Sequence, residues 1–304
     1  MKKCSFILVA LIATYCTQAQ DWVQVWGPTE FVIVDGENGA VYAKPLAKAT
    51  MANPAGIADI FLWEGKPNAW IPLGKPGKKY VTAGISSQSA LFCLDFKGVV
   101  YRFKGTPKDW ESLGGPENGK AFDIFGGPDG LLAVADGGTK DVYRWESKKG
   151  WTKIGGPGKE FVIGKNSDEE FPMIFGLSPE NSAPDERGVY QWSGAWFKRG
   201  GPAGNIYISK STLFATNPDT GDLMAKIKGK WEKIGGPGHM FATDQLGKIY
   251  GLSPDKKAVY KWMGIPNKWE EIGGAADKIF AGGDGFLFAT NPDTKDLWFY
   301  KPRR

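Results

Sequence analysis

The chain has 304 residues with 38 Lys and Arg against 33 Asp and Glu, a formal charge of +5, one histidine and three cysteines, against 42 glycines and 13 tryptophans. The slight positive excess is spread in alternating sign rather than gathered in blocks, so it does not mark a nucleic-acid-binding protein. One histidine and so few cysteines leave no set of ligands for zinc.

The first residues read as a secretory signal peptide. Lys2 and Lys3 precede an apolar run from Phe6 to Ala13, and Thr17-Gln18-Ala19 supplies small residues for cleavage after Ala19. The run is too short to span a membrane. The expectation is residues 1–19 as signal peptide, residues 20–304 as one secreted domain, and no membrane insertion. Cys4 and Cys16 leave with the signal, so only Cys93 remains and no internal disulfide can form. Cys93, in Ala90-Leu-Phe-Cys-Leu94, reads as a small buried hydrophobe of a strand.

From Trp22 onward the chain repeats itself. Trp151-Thr-Lys-Ile-Gly-Gly-Pro-Gly158 returns as Trp231-Glu-Lys-Ile-Gly-Gly-Pro-Gly238. Phe214-Ala-Thr-Asn-Pro-Asp-Thr-Gly-Asp-Leu223 returns almost unchanged from Phe288. The extended pattern places marker tryptophans at Trp22, Trp70, Trp110, Trp151, Trp196, Trp231 and Trp269, between 35 and 48 residues apart. The first copy is degenerate, with Trp26-Gly27-Pro28 in place of the Gly-Gly turn. Each unit reads as four short strands rich in Val, Ile, Tyr, Phe and Trp, punctuated by Gly, Pro and Asp turns. In the copy that starts at Trp231 these are Trp231–Ile234, His239–Thr243, Lys248–Leu252 and Ala258–Trp262. No stretch holds a helical period for more than about two turns.

The fold class expected is all-β, a closed β-propeller of four-stranded blades, with the strand Asp21–Val25 completing a last blade formed by residues 278–300. Seven blades follow if residues 28–69 form a blade; six follow if they are an insertion. A second aromatic column, Trp63, Phe103, Trp145, Trp192, Trp262 and Tyr300, recurs at one position of the repeat. Lys226 breaks it in the fifth copy. Both columns read as packing between blades rather than as ligand platforms.

The marker Trp-x-x-Ile-Gly-Gly, together with Ile249-Tyr-Gly-Leu-Ser-Pro-Asp255 and Val259-Tyr-Lys-Trp262, resembles the tectonin repeat. The resemblance covers nearly the whole chain after residue 19. It implies a propeller and a secreted or surface lectin that binds glycans, microbial surface sugars among them, in innate defence. It transfers no ligand residue, because what repeats is scaffold.

Binding is therefore sought in loops, which carry function more often than the strands that hold them. The candidate ligand-binding residues are Asn217, Asp219, Asp222, Asp255, Asn291, Asp293 and Asp296, all in hairpins whose oxygens suit sugar hydroxyls. The competing role for the same residues is plain turn chemistry, since Asn and Asp bond their own backbone there. Leu-Ser-Pro hairpins in the fourth and sixth units alternate with Asn-Pro hairpins in the fifth and seventh, which predicts two classes of pocket. Asn217-Pro-Asp-Thr-Gly-Asp222 offers three side-chain oxygens but lacks the glutamate and full spacing of a strong calcium loop, so no cofactor is expected, with calcium at these loops as the alternative.

Catalysis finds little footing. His239 sits in a turn that Lys159 fills elsewhere. The acidic stretches Asp168-Glu-Glu170 and Asp185-Glu-Arg187 lie in extra residues of the long fourth unit. The expected function is a monomeric secreted lectin with several weak repeated sites, not an enzyme. A protein-binding scaffold and a propeller glycosidase or lyase are the alternatives. The scaffold would use a patch where the repeats diverge, near residues 40–58 or 165–187.

Overall fold

The computed structural model describes residues 21–47, 57–85, 88–165, 172–283 and 285–301. The expected signal peptide and Asp168-Glu-Glu170 lie outside these residues. Within them the chain is all β-strand, with no helix. Five antiparallel four-stranded sheets follow one another over residues 79–114, 121–155, 160–200, 206–237 and 240–273, here the second to sixth units. In each, the marker strand is one edge and the strand that follows a Gly-Pro loop is the other. The second strand of each sheet is mostly buried on both faces, which is why it is apolar, whereas the marker strand exposes charges such as Glu232 and Glu270.

The sixth sheet has seven strands in the order Ile279–Gly282, Phe286–Thr290, Asp296–Tyr300, Trp22–Val34, Val41–Pro45, Phe61–Trp63 and Trp70–Pro72. It joins the last unit to the first through one strand. Trp22–Pro28 pair with Asp296–Tyr300, and Thr29–Val34 pair with Val41–Pro45. The expected short strand Asp21–Val25 followed by a turn is thus a continuous strand, Trp22–Val34. The reason is local. The first copy has no Gly-Gly turn, and the chain bends instead at register shifts after Gln24, Trp26 and Thr29.

Apolar side chains are buried between successive sheets rather than in one central core. Leu132, Val134 and Val142 of the third unit meet Phe161, Ile163 and Ile174 of the fourth. Phe214, Leu223 and Ile234 of the fifth meet Phe241 and Ile249 of the sixth. Phe288 and Leu297 of the last unit meet Val32, Val34 and Val41 of the first. The strands next to the axis touch their neighbours in turn, ending with Ile279–Gly282 against Trp22–Val34. Blade-like sheets, packed face to face around an axis, make the architecture propeller-like.

A circuit of hydrogen bonds runs around the outside of this arrangement. Each marker tryptophan donates its indole N–H to the carbonyl three residues beyond the preceding marker. Trp70 donates to Val25, Trp110 to Leu73, Trp151 to Leu113 and Trp196 to Ile154, at 2.7–3.1 Å. Trp231 donates to Arg199 at 3.4 Å, Trp269 to Ile234 at 2.8 Å and Trp22 to Ile272 at 2.8 Å. The glycine of Trp-x-x-Ile-Gly is needed at the same contact. A Cβ on Gly200, Gly235 or Gly273 would lie 2.8 Å from the next unit's indole nitrogen, and one on Gly155 at 2.2 Å. The repeat motif is therefore a joint between units: its tryptophan and its glycine serve opposite sides.

The second aromatic column stands directly opposite the first across the sheet. Trp262 pairs with Trp269, Trp145 with Trp151, Phe103 with Trp110 and Tyr300 with Trp22. In the fifth unit Lys226 faces Trp231, and its ammonium donates to the same Arg199 carbonyl at 3.3 Å. The lysine shares the acceptor, and Trp231 has the longest bond of the circuit. Lys226→Phe is expected to raise stability by about 0.5–1 kcal/mol, the worth of an aromatic cross-strand pair, read by urea denaturation.

Cys93 is buried in the strand Gln88–Leu94, as expected. Burial pushes its thiol up to about 12. Against an ordinary thiol this leaves about three orders of magnitude less thiolate at neutral pH. Iodoacetamide is expected to leave the folded protein unmodified and to alkylate it fully in urea, as read by mass spectrometry.

Candidate functional site

The innermost strands run in parallel around the axis, so the Gly-Pro loops that precede them share one face with the hairpins between the two middle strands of each sheet. Where a Gly-Pro loop meets the hairpin and outer strands of its own sheet, a pocket opens beside the marker tryptophan. The sixth-unit pocket has a volume of about 310 Å³ and is walled by Trp269, Tyr260, Phe241 and Leu252, with Pro237 and Pro254 at its rim. The fourth-unit pocket also measures about 310 Å³, with Trp196, Tyr190, Phe161, Leu177, Pro157 and Pro179 at the same positions.

Glycines create the space. A Cβ on Gly238 would come within 2.7 Å of the Phe241 ring, and one on Gly158 within 2.4 Å of Phe161. Gly251 and Gly176 lie mid-strand beneath the same rings, at 3.0 and 2.8 Å. Gly236 and Gly156 stand at the open side, where a Cβ would meet nothing within 4 Å. The polar atoms nearby are already engaged. The Ser253 hydroxyl accepts the Lys257 and Ala258 N–H groups and donates to Asp255, so the wall it contributes is apolar. The Tyr190 hydroxyl donates to the Glu186 carbonyl at 2.6 Å. Burial, then the nearby Glu271 carboxylate, raises the Tyr260 phenol, which keeps its hydroxyl a neutral hydrogen-bonding group.

The seventh unit carries the second class of pocket. Ala275 and Ala276 replace Pro-Gly, Ala289 replaces the mid-strand glycine, and Thr290-Asn291 replace Leu-Ser, with Trp22 and Trp298 as the aromatic walls. The added methyl groups reduce the volume to about 200 Å³. In the second unit the place is taken by Lys75, whose ammonium lies 3.2 Å from the centroid of Tyr101, the residue equivalent to Tyr260.

The residues expected from the sequence sit mostly in the hairpins beside the pockets. Asn217 accepts the Asp219 and Thr220 N–H groups, and Asn291 those of Asp293 and Thr294, both at 2.8–3.0 Å. Asp222 is paired with Lys233 at 2.7 Å, and that bond holds its carboxyl below the usual range. Asp255 accepts from Ser253 and Lys257, and Asp296 from Thr294. Asn291 lines the seventh-unit pocket. Asp219 lines a larger crevice of about 440 Å³ between the fourth and fifth units, with Lys159, Glu180 and Arg187. The structure does not gather these seven residues into one place. Sequence reasoning misses the tyrosines and phenylalanines of the matched pockets. The signal that could find them is Gly176 and Gly251, since glycine inside a strand marks a close approach.

The sixth and seventh units are clamped beside their pockets. Burial alone would raise the Asp277 carboxyl; Lys256 and Lys295, at 3.0 and 3.2 Å, more than reverse this and hold it below the usual range. A carboxyl lowered by folding adds stability that is present above its unfolded pKa, near ~3.9, and is lost as the pH falls through the folded value. Asp277→Asn is expected to flatten the fall in melting temperature below about pH 4, measured by calorimetry between neutral and acid pH.

The central channel, about 300 Å³, is lined by the innermost strands and carries two carboxylates among the described residues, Glu37 and Glu160. Glu160 opens its strand and accepts the Ile206 N–H, whereas Glu37 follows the end of its strand and pairs with Lys165 at 3.4 Å. They enter the channel from opposite ends.

The fold defines the class: an all-β repeat protein of propeller-like architecture. Among solved structures, the chain is similar to a catalytically inactive virginiamycin B lyase from Staphylococcus aureus with quinupristin, with 14% identity and TM-score 0.60 over 92% of this chain and 96% of that one. It is similar to YCF48 bound to D1 peptide, with 12% identity and TM-score 0.60 over 93% and 96%. It is also similar to a chain of the mitotic checkpoint complex, with 11% identity and TM-score 0.60 over 99% of each. At such identities the likeness is one of fold. No protein-family profile and no curated protein sequence matches the chain.

Proposed function

We propose that this chain is a secreted lectin of the tectonin type: a seven-bladed propeller that binds glycans through its blade pockets and is not an enzyme. The observation that carries the reading is the residue-by-residue equivalence of the fourth- and sixth-unit pockets. A catalytic site is ordinarily single, whereas a binding site gains by repetition. Weak sites on one rigid ring add up on a dense surface, because each binding event raises the effective concentration for the next. Trp and Tyr walls over a glycine floor suit the flat apolar face of a pyranose, with hydroxyls meeting the loop rim. Microbial surface glycans, with a role in defence, are the corresponding ligand class. The count of seven is supported by the tryptophan circuit, which returns to Trp22, and by dividing the seven-stranded sheet where Trp22–Val34 changes partner.

The test is a glycan array with residues 21–304, which hold every strand among the described residues, followed by calorimetry on the best binder. Binding at the weak, millimolar level of single sites is expected, lost in the Tyr190→Ala/Tyr260→Ala double variant, whose pocket tyrosines take no part in the joints between units. No binding to any glycan would overturn the reading.

A scaffold function is favoured by one feature, the crevice of Lys159, Glu180, Arg187 and Asp219, which lies where the repeats diverge. A partner captured there would be released by Arg187→Ala and unaffected by Tyr260→Ala.

A further inference from the structure

On the loop face between the second and third units the surface changes character. Phe96, in the hairpin after Gln88–Leu94, is 59% exposed, and Phe122, in the strand Ala121–Gly127, is 47% exposed. The Ala121 N–H donates to the Gly98 carbonyl at 2.7 Å, so the two phenylalanines stand on adjoining loops. Lysines from both units surround them. Lys140 lies 3.8 Å and Lys78 4.7 Å from the Phe122 ring centroid, and Lys78 also donates to the Phe122 carbonyl. Lys97 adjoins Phe96, and Lys120 packs against Gly98. Lys78, Lys97 and Lys120 are exposed and make no ion pair with a carboxylate among the described residues. The nearby Asp123 is taken by Lys79 at 2.8 Å, and Asp95 accepts the Lys97 and Val99 N–H groups.

We propose that this patch rests on an anionic phospholipid surface. The residue types decide among anionic partners. A phenyl ring has no polar handle, so once exposed it gains most from an apolar phase, here the boundary of the acyl chains. Lysine has a long flexible stem that lies along such a boundary while its ammonium reaches a phosphate. The cation–π contacts at Phe122 keep ring and charge in one layer. An acidic polysaccharide would instead favour arginine forks for its carboxylates or sulfates, and the patch has none. The patch shares its face with the pockets but occupies the stretch of the ring where Lys75 fills the pocket position, so both can engage one surface. The proposal rests on the patch alone and not on the lectin reading.

Residues 21–304 also lack the apolar Phe6–Ala13 run, which would itself partition into lipid. That chain is expected to co-sediment with vesicles of phosphatidylcholine and phosphatidylglycerol, not with phosphatidylcholine alone, and to be released by salt. Lys97→Gln with Lys120→Gln should weaken association about 25-fold, at roughly five-fold per lysine. Phe96→Ser with Phe122→Ser should weaken it by about ten-fold or more. Melting temperatures of the two surface double variants serve as the folding control. No association with the anionic vesicles, or association that both double variants retain, would overturn the proposal. So would absence of vesicle binding together with dextran sulfate binding that these variants lose, which would reassign the patch to an acidic glycan.

Discussion

Trp22→Ala is expected to lower the free energy of unfolding by about 3 kcal/mol, the lower end of the usual cost of truncating a packed tryptophan. Trp22 is half-buried, but it stands where the two ends of the chain meet. Its indole N–H donates to Ile272 of the sixth unit, its ring packs against Tyr300 at 5.2 Å, and a Cβ on Gly273 would collide with it. Its strand joins the last unit to the first within one sheet. Losing the side chain therefore loosens both a sheet and the joint between two units. Trp231→Ala is the internal comparison. Its bond to Arg199 is longer, it faces Lys226 rather than an aromatic ring, and both of its neighbours remain in the middle of the chain. Its cost should be smaller by about 1 kcal/mol or more. Urea titrations of the two variants measure the difference. Equal losses would mean that closure contributes nothing beyond an ordinary junction.

The second large effect is expected at Gly127. There the third unit meets the fourth next to the channel, backbone against backbone: a Cβ on Gly127 would lie 2.0 Å from the Ile163 carbonyl oxygen. Gly126 and Gly84 make the same kind of approach, at 2.3 Å to the Thr82 oxygen and 1.8 Å to the Pro128 oxygen. No rotamer change relieves a clash with a main-chain carbonyl, so the units must move apart. Gly127→Ala should cost about 3 kcal/mol, the upper part of the range for overpacking. Gly236→Ala is the control, since nothing lies within 4 Å of the added methyl and no positive φ is required there. It should change stability by less than about 0.5 kcal/mol. Because Gly236 opens onto the sixth-unit pocket, the same variant can still alter binding. Melting and glycan titration of the pair thus separate the glycines that hold the ring from those that leave room for a ligand.

Much of this architecture is legible in the residues one unit at a time. The return of Trp-x-x-Ile-Gly-Gly sets the repeat length. The Ser-Pro-Asp and Asn-Pro-Asp turns bound the strands, and Val259-Tyr-Lys-Trp262 shows the β-branched and aromatic residues of a strand. These features arise within a few residues, where turn chemistry and side-chain alternation act directly. The candidate pockets are harder to see. Their walls come from residues far apart in the unit, Phe241 and Trp269 for example, brought together only when the sheet forms. The hairpin carboxylates resemble ligands because the sequence shows their oxygens and hides their hydrogen-bond partners, such as Lys233 for Asp222.

By itself, then, the sequence determined that this protein is a repeat of short strands with a tryptophan and a glycine in fixed relation. Local propensity and period are carried by neighbouring residues. Only the tertiary structure decided that this tryptophan and this glycine belong to different joints, that Trp22–Val34 runs unbroken between the last unit and the first, and which units keep an open pocket. Each of those depends on what the adjoining sheet presents across the junction, a contact between residues that no local pattern links.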